Sequence, residues 1–314
     1  MTIDRGLLIH PDELSEAWIA RLLASNLKRF GLHPKGGLNA HVSMGAFITE
    51  QNVLAERLGR LETAGLTVEH EMHAIRWMLP AEKFKEHPSW FRMDEHGDRV
   101  PDFNLCVSNK DALEYIRLRA AEAARLLPAK SHRYHFWTDD VRFAQCQCPE
   151  CRALSASDQT MVITNTITEG LRRTDPIASQ CYLAYFQTLT APQQVEPTDG
   201  VFLEFAPMGR DYHLAMNDPS SEKNASLIAA LPDLFACFGR RNSLALEYWL
   251  DNSMYSRQVK PPKYFEWNRD VTAADLAFYE EQGFEAAMTF ACFLGEDYEE
   301  LYGSFPNIEE YFMW

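Results

Sequence analysis

The chain has 314 residues, 46% hydrophobic and 24% charged, which is ample apolar material for one sizeable α/β domain. A formal net charge of -15 repels phosphate backbones, so nucleic acid is excluded as the expected partner and polyanionic polysaccharides are disfavoured as substrates. No apolar run approaches the roughly 18 residues of a membrane span. No basic n-region opens the chain and the seven cysteines are an odd count, so a cytoplasmic protein with mostly reduced thiols is expected.

In chain order, short β-rich runs alternate with amphipathic helical runs. Strands are expected at Leu7–His10, His41–Gly45, Thr67–His73, His132–Trp137, Gln180–Phe186, Val201–Phe205, Leu244–Leu250 and Ala286–Phe293. Several are nearly continuous apolar runs, as strands covered on both faces should be. Leu14, Trp18 and Leu22 share one face of a first helix. Ser108-Asn109-Lys110-Asp111 and Thr272-Ala273-Ala274-Asp275 resemble capping boxes, and Gly283 suits the end of the helix before the last strand. Eight alternations predict a single-domain (β/α)8 barrel over residues 1–314. Its longest insertion follows the third strand, from Ala74 to Val107, and is too aromatic for disorder.

Several motifs fall in a characteristic order. His73 precedes Met78-Leu79-Pro80, His87-Pro88-Ser89-Trp90-Phe91, Gly97-Asp98-Arg99 and Leu105-Cys106-Val107-Ser108-Asn109. Trp137-x-Asp139-Asp140, a cluster of Cys146, Cys148 and Cys151, and Ala206-Pro207-x-x-Arg210-x-Tyr212-His213 follow. Together they resemble an uncharacterised family of glycoside-hydrolase-like barrels, domain of unknown function 4838, related to the α-glucuronidase barrels. The adjacent Asp pair is also similar to that of family 84 hexosaminidases. That likeness implies that Asp139 orients a 2-acetamido group and Asp140 is the general acid/base.

The residues themselves point to a site at the strand ends. Tyr134–Trp137 reads as a strand, so Asp139 and Asp140 follow its C-terminal end, where barrels build active sites. Both reach one pocket only if the strand ends or bends there; otherwise one of them caps a helix or pairs with an arginine. Glu204 and Glu247 lie inside apolar strands, where a carboxylate is costly unless paired or functional. Either is a candidate second carboxylate, with Glu247 as nucleophile or base and Glu204 in the sugar pocket. The structural alternative is an acid bonded to a neighbour such as Arg210 or Tyr185.

Trp137, Tyr185, Tyr248, Trp249 and Phe293 supply rings on which a sugar face can stack, or else barrel-to-helix packing. Arg210, followed by His213, is either a bidentate clamp for a uronic acid or half of an internal salt bridge. His70 and His73 fall on opposite faces of a strand and so do not chelate one metal; the family resemblance implies that His73 contacts a substrate hydroxyl, and the alternative is a satisfied structural histidine. Cys146, Cys148 and Cys151 are three ligands toward a structural zinc, a Cys148–Cys151 disulfide that a cytosolic setting disfavours, or free thiols beside Asp140, and no other cofactor is expected. The expected function is a glycoside hydrolase acting on a small oligosaccharide or glycoconjugate by carboxylate acid/base catalysis, with or without substrate assistance. The rivals are a carbohydrate-binding barrel without catalysis and a metal-dependent barrel hydrolase. Oligomeric state is left open.

Overall fold

A computed structural model describes residues 3–314. Its eight strands are β1 (Asp4–Ile9), β2 (Arg29–Leu32), β3 (Thr67–His73), β4 (Arg133–Trp137), β5 (Ser179–Ala184), β6 (Val201–Phe205), β7 (Leu244–Glu247) and β8 (Ala286–Phe290). Each pairs in parallel with its sequence neighbours, and β8 returns to β1, closing a (β/α)8 barrel. Alternate residues face opposite sides of each strand. Leu7, Phe30, Met72, Phe136, Tyr182, Leu203, Phe205 and Ala245 pack outward against the helices. Leu8, Trp137, Leu183, Phe202, Leu246, Tyr248, Met288 and Phe290 fill the interior. On β2, Gly31 leaves room for interior neighbours, because a Cβ there would lie 2.8 Å from both Leu8 and the Glu71 carboxylate.

The second strand is a correction. His41–Gly45 lies within the helix Ala40–Thr63, and the barrel strand is Arg29–Leu32. His-Val-Ser-Met-Gly alternates for five residues, but Met44, Phe47, Leu54 and Leu61 continue the buried side at helical spacing. Arg29–Leu32 lacks an apolar run because it holds an arginine and a glycine, although all four residues are buried. The expected helix starts also shift. Asn109 caps the helix Lys110–Leu126, and Asn268 caps Arg269–Gln282, which places Thr272 and Asp275 within that helix. Gly283 ends it in the left-handed region at φ 86°.

Between β3 and the helix Lys110–Leu126 the chain makes only short helical turns. Where β4 and β5 diverge after two paired positions, Gln180 stands in for strand backbone. Its side chain accepts from the Phe136 N–H at 3.3 Å and donates to the Phe136 carbonyl at 2.9 Å. This opening precedes Trp137 and the Asp pair. No helix among the described residues is long and apolar enough to cross a membrane.

Candidate active site

A cleft of about 630 Å³ occupies the C-terminal mouth of the barrel. A histidine directly follows β1 and β2 and another ends β3, and all three line it: His10, His33 and His73. The Nδ1 atoms lie 2.9, 2.8 and 2.6 Å from the carbonyls of His33, Glu71 and Thr138 respectively. A carbonyl only accepts, so each Nδ1 carries the proton, and in the neutral ring Nε2 is then an acceptor. Burial holds His10 below, and His33 well below, the ordinary imidazole range, so both stay neutral. The row continues into Trp137, whose ring lies 5.4 Å from His33 and 5.0 Å from His73. Across the cleft Tyr248 stacks on Phe290 at 5.2 Å, with the rings 17° from parallel.

Two carboxylates line this cleft. Asp140, after β4, accepts the Gly37 N–H at 2.9 Å and the Tyr185 hydroxyl at 3.1 Å, one on each oxygen. Burial and the neighbouring Asp140 push Tyr185 far above the ordinary phenol range, so it remains a donor. Asp251, after β7, caps the short helix Asn252–Tyr255, and its three bonds, from the Ser253 N–H and hydroxyl and the Met254 N–H, all fall on Oδ1. Burial raises Asp251 to about 6, against the opposing pull of those bonds.

The adjacent Asp pair separates. Asp139 does not line the cleft: it accepts the backbone N–H groups of Arg76 at 3.2 Å and Asn104 at 2.6 Å. Its own N–H donates to the Asn104 side chain at 3.0 Å. Burial raises its carboxyl to about 6. Asp139 therefore ties the segment that follows β3 to the end of β4, while Asp140 faces the opening.

Glu247 is a second correction. Leu246 and Tyr248 face inward, so Glu247 faces outward, where it meets Arg210 at 2.6 Å and the Tyr279 hydroxyl at 2.5 Å. Arg210 also binds Asp275 at 2.5 Å, so it is an internal ion-pair partner rather than a substrate clamp. Trp249 faces the same side and donates to Asp275 at 2.8 Å, and His213 is exposed outside the cleft. Glu204 does point inward, but it lies beneath the cleft, with His135 at 3.1 Å and the Trp137 indole N–H at 2.8 Å. Of the expected site residues, His73, Trp137, Asp140 and Tyr248 come together around the opening, joined by Tyr185 and Phe293.

His33, Lys35, Gly36, Gly37 and Asp251 also line the cleft and are not among the site residues expected from the sequence. His33 is hidden by the misplaced second strand. Asp251 carried a readable signal: Asp251-Asn252-Ser253 is a helix-capping sequence directly after a predicted strand.

Among the described residues, three groups of His, Cys, Asp or Glu bring ligand atoms within 4.8 Å of one another: Cys106/Cys146/Cys148/Cys151, His135/Cys181/Glu204 and Glu69/Glu71/His135. None of them lies in the cleft, whose three histidines do not converge on one point.

The family model for the domain of unknown function DUF4838 matches residues 42–231, more than half of the chain. No curated protein matches the sequence. Similar solved structures include endo-glycoceramidase II from Rhodococcus sp., at 11% identity and TM-score 0.56, covering 92% of this chain and 74% of that one. A glycoside hydrolase family 5 enzyme from Prevotella bryantii aligns at 9% identity and TM-score 0.54, covering 97% and 93%. A β-galactosidase from Rahnella sp. R3 aligns at 10% identity and TM-score 0.55 over 92% of this chain, which spans half the length of that chain. The likeness is one of fold: these glycosidases share the barrel.

Proposed function

The chain belongs to the domain of unknown function 4838 family, and from that premise we propose that it is a glycoside hydrolase acting on an uncharged sugar with Asp140 and Asp251 as its carboxylate pair. The observation that carries this reading is that these two groups, following β4 and β7, face one aromatic cleft at the C-terminal mouth of a barrel. Asp251, protonated up to about pH 6, is the general acid that donates to the glycosidic oxygen. Asp140, with a hydrogen bond on each oxygen, is the nucleophile or base. Trp137 and the Tyr248–Phe290 stack receive the apolar faces of the sugar, and the histidine Nε2 atoms accept its hydroxyl protons.

The uronic-acid reading has lost its arginine to Glu247 and Asp275, and the cleft cations Lys35 and Lys260 are paired with Asp12 and Asp297. Substrate assistance through Asp139 has lost its carboxylate to the insertion. Both observations favour a neutral sugar and a conventional two-carboxylate mechanism. All seven cysteines stand unpaired, which favours a reducing compartment.

The test is turnover of a panel of aryl glycosides, hexosides together with N-acetylhexosaminides and uronides, by wild type, Asp140→Asn and Asp251→Asn. Hydrolysis of a neutral hexoside that collapses in both variants supports the proposal. Preference for uronides overturns the substrate class. Sugar binding without turnover of any glycoside makes the chain a carbohydrate-binding barrel.

A further inference from the structure

The insertion after β3 brings a fourth cysteine to the three that follow β4. Cys106 Sγ lies 3.7 Å from Cys148 Sγ and 3.8 Å from Cys151 Sγ, and all four sulfurs, Cys146 included, lie within 4.8 Å of one another. A tetrahedron built on metal–sulfur bonds of about 2.3 Å has sulfur–sulfur edges of about 3.8 Å. A disulfide would need about 2.05 Å, and none of the four is paired. All four are buried, at 1% exposure or less.

The surroundings are those of a ligand shell. The Met93 N–H donates to Cys146 Sγ at 3.3 Å and the Arg99 guanidinium reaches the same sulfur at 3.7 Å. The Ser108 hydroxyl lies 3.2 Å from Cys106 and 3.6 Å from Cys148. Such donors stabilise thiolate charge around a metal. Gln159 holds the loop backbone, accepting from the Cys146 N–H at 2.9 Å and donating to the carbonyls of Cys146 and Cys151 at 3.1 and 3.0 Å. The segment that contributes Cys106 has no strand or long helix of its own, yet two residues earlier it supplies Asn104, which grips Asp139 from both sides.

We propose that Cys106, Cys146, Cys148 and Cys151 bind one structural zinc ion that fastens the β3 insertion to the loop carrying Asp139 and Asp140. Four thiolates close the coordination sphere and leave no position for a substrate, so the ion has a structural role. Binding releases the protons of the four thiols as four zinc–sulfur bonds form, and Arg99 offsets part of the resulting negative charge. The site clips together segments some forty residues apart, and a cross-link over that span restricts the unfolded chain more than one between near neighbours. It lies outside the cleft, so the assignment stands whether or not the chain cleaves sugars.

The experiment is metal analysis of the full chain purified without chelator, followed by cobalt titration of stripped protein. One zinc per chain is expected, with cobalt giving the intense visible bands of a tetrahedral tetrathiolate that saturate at one equivalent and bleach on zinc addition. Cys106→Ser is expected to lose that stoichiometry while Cys237→Ser keeps it. Because Cys106→Ser can fail to fold, the wild-type cobalt spectrum decides independently. Purified protein without zinc, whose stripped form gives no tetrathiolate cobalt spectrum, overturns the proposal. So does protein whose four-cysteine site carries iron.

Discussion

The cleft and the barrel layer directly beneath it use the same residue types to opposite ends. In the lower layer Glu69 faces Arg29 at 3.5 Å, Arg133 at 3.4 Å and His135 at 3.7 Å, and Glu204 faces His135 at 3.1 Å. Burial opposes ionisation of Glu69, yet His135, Arg29 and Arg133 outweigh it and hold the carboxyl at about 2. Burial likewise opposes charge on His135, but Glu204 and Glu71 prevail and raise it well above its ordinary range. In the upper layer the histidines are held by carbonyls, and Asp140 and Asp251 by hydroxyl and backbone donors. Among the described residues, neither of those aspartates belongs to an ion pair. Glu69, compensated by buried cations, stays ionised and serves the fold. Asp251, held by neutral donors beside the cleft, is instead raised by burial to about 6 and so can change protonation state within a working pH range, which is what acid/base chemistry requires.

The sharpest way to break this contrast is to remove one charge from each layer. Asp140→Asn is expected to lower turnover by about 10²–10⁴-fold, the usual worth of a positioned acid/base group, with little change in urea midpoint. Glu204→Gln is expected to do the reverse in kind. It leaves His135 buried without its closest carboxylate, at a cost of about 3–5 kcal/mol in urea denaturation. Equal loss of stability in both variants would show that the two layers are one structural network.

A pH profile sharpens the same division. Asp251 must be protonated to donate, and burial places it at about 6, so turnover is expected to fall about tenfold per pH unit well above that value. Asp251→Asn is expected to abolish that limb along with most activity. Glu69, held at about 2, stays ionised throughout and contributes no limb between pH 4 and 8, a window bounded by about two units on either side of the expected transition. An alkaline limb that survives Asp251→Asn would move the acid to another residue.

The division also explains how much was legible in the sequence. Seven of the eight strands were legible, several of them through nearly continuous apolar runs, because burial on both faces writes itself into composition. The eighth, Arg29–Leu32, escaped because its interior positions are an arginine and a glycine chosen to meet Glu69 and make room for Glu71. Asp140, His73, Trp137 and Tyr248 were recognisable as chemistry-bearing residues at strand ends. Glu204 and Glu247 were equally recognisable as buried carboxylates, but composition cannot distinguish a compensated charge from an available one. That distinction depends on partners such as Arg210 and His135, which lie far away in sequence. Cys106 joins the other three cysteines only when the insertion folds back, so sequence spacing alone left the cluster one ligand short.

The smallest expected effect tests how tightly the upper layer is built. Gly36 has φ -88° and ψ -157°, extended backbone that alanine adopts without strain. Its substitution therefore probes space rather than conformation. A Cβ at this position would lie 2.8 Å from Asp140 Oδ2 and 3.4 Å from the His73 ring, so the carboxylate must shift by a few tenths of an ångström. Misplacement of a reacting group by 1 Å can cost about 10²-fold, so Gly36→Ala is expected to lower kcat by about tenfold while the urea midpoint stays unchanged. Wild-type kcat in Gly36→Ala would mean that Asp140 tolerates displacement and is not the positioned nucleophile or base. The lower layer has its counterpart in Gly31, where a Cβ would meet Glu71 and Leu8 in a packed interior, and there the loss is expected in stability. The same glycine-to-alanine change thus separates a close approach that serves chemistry from one that serves packing.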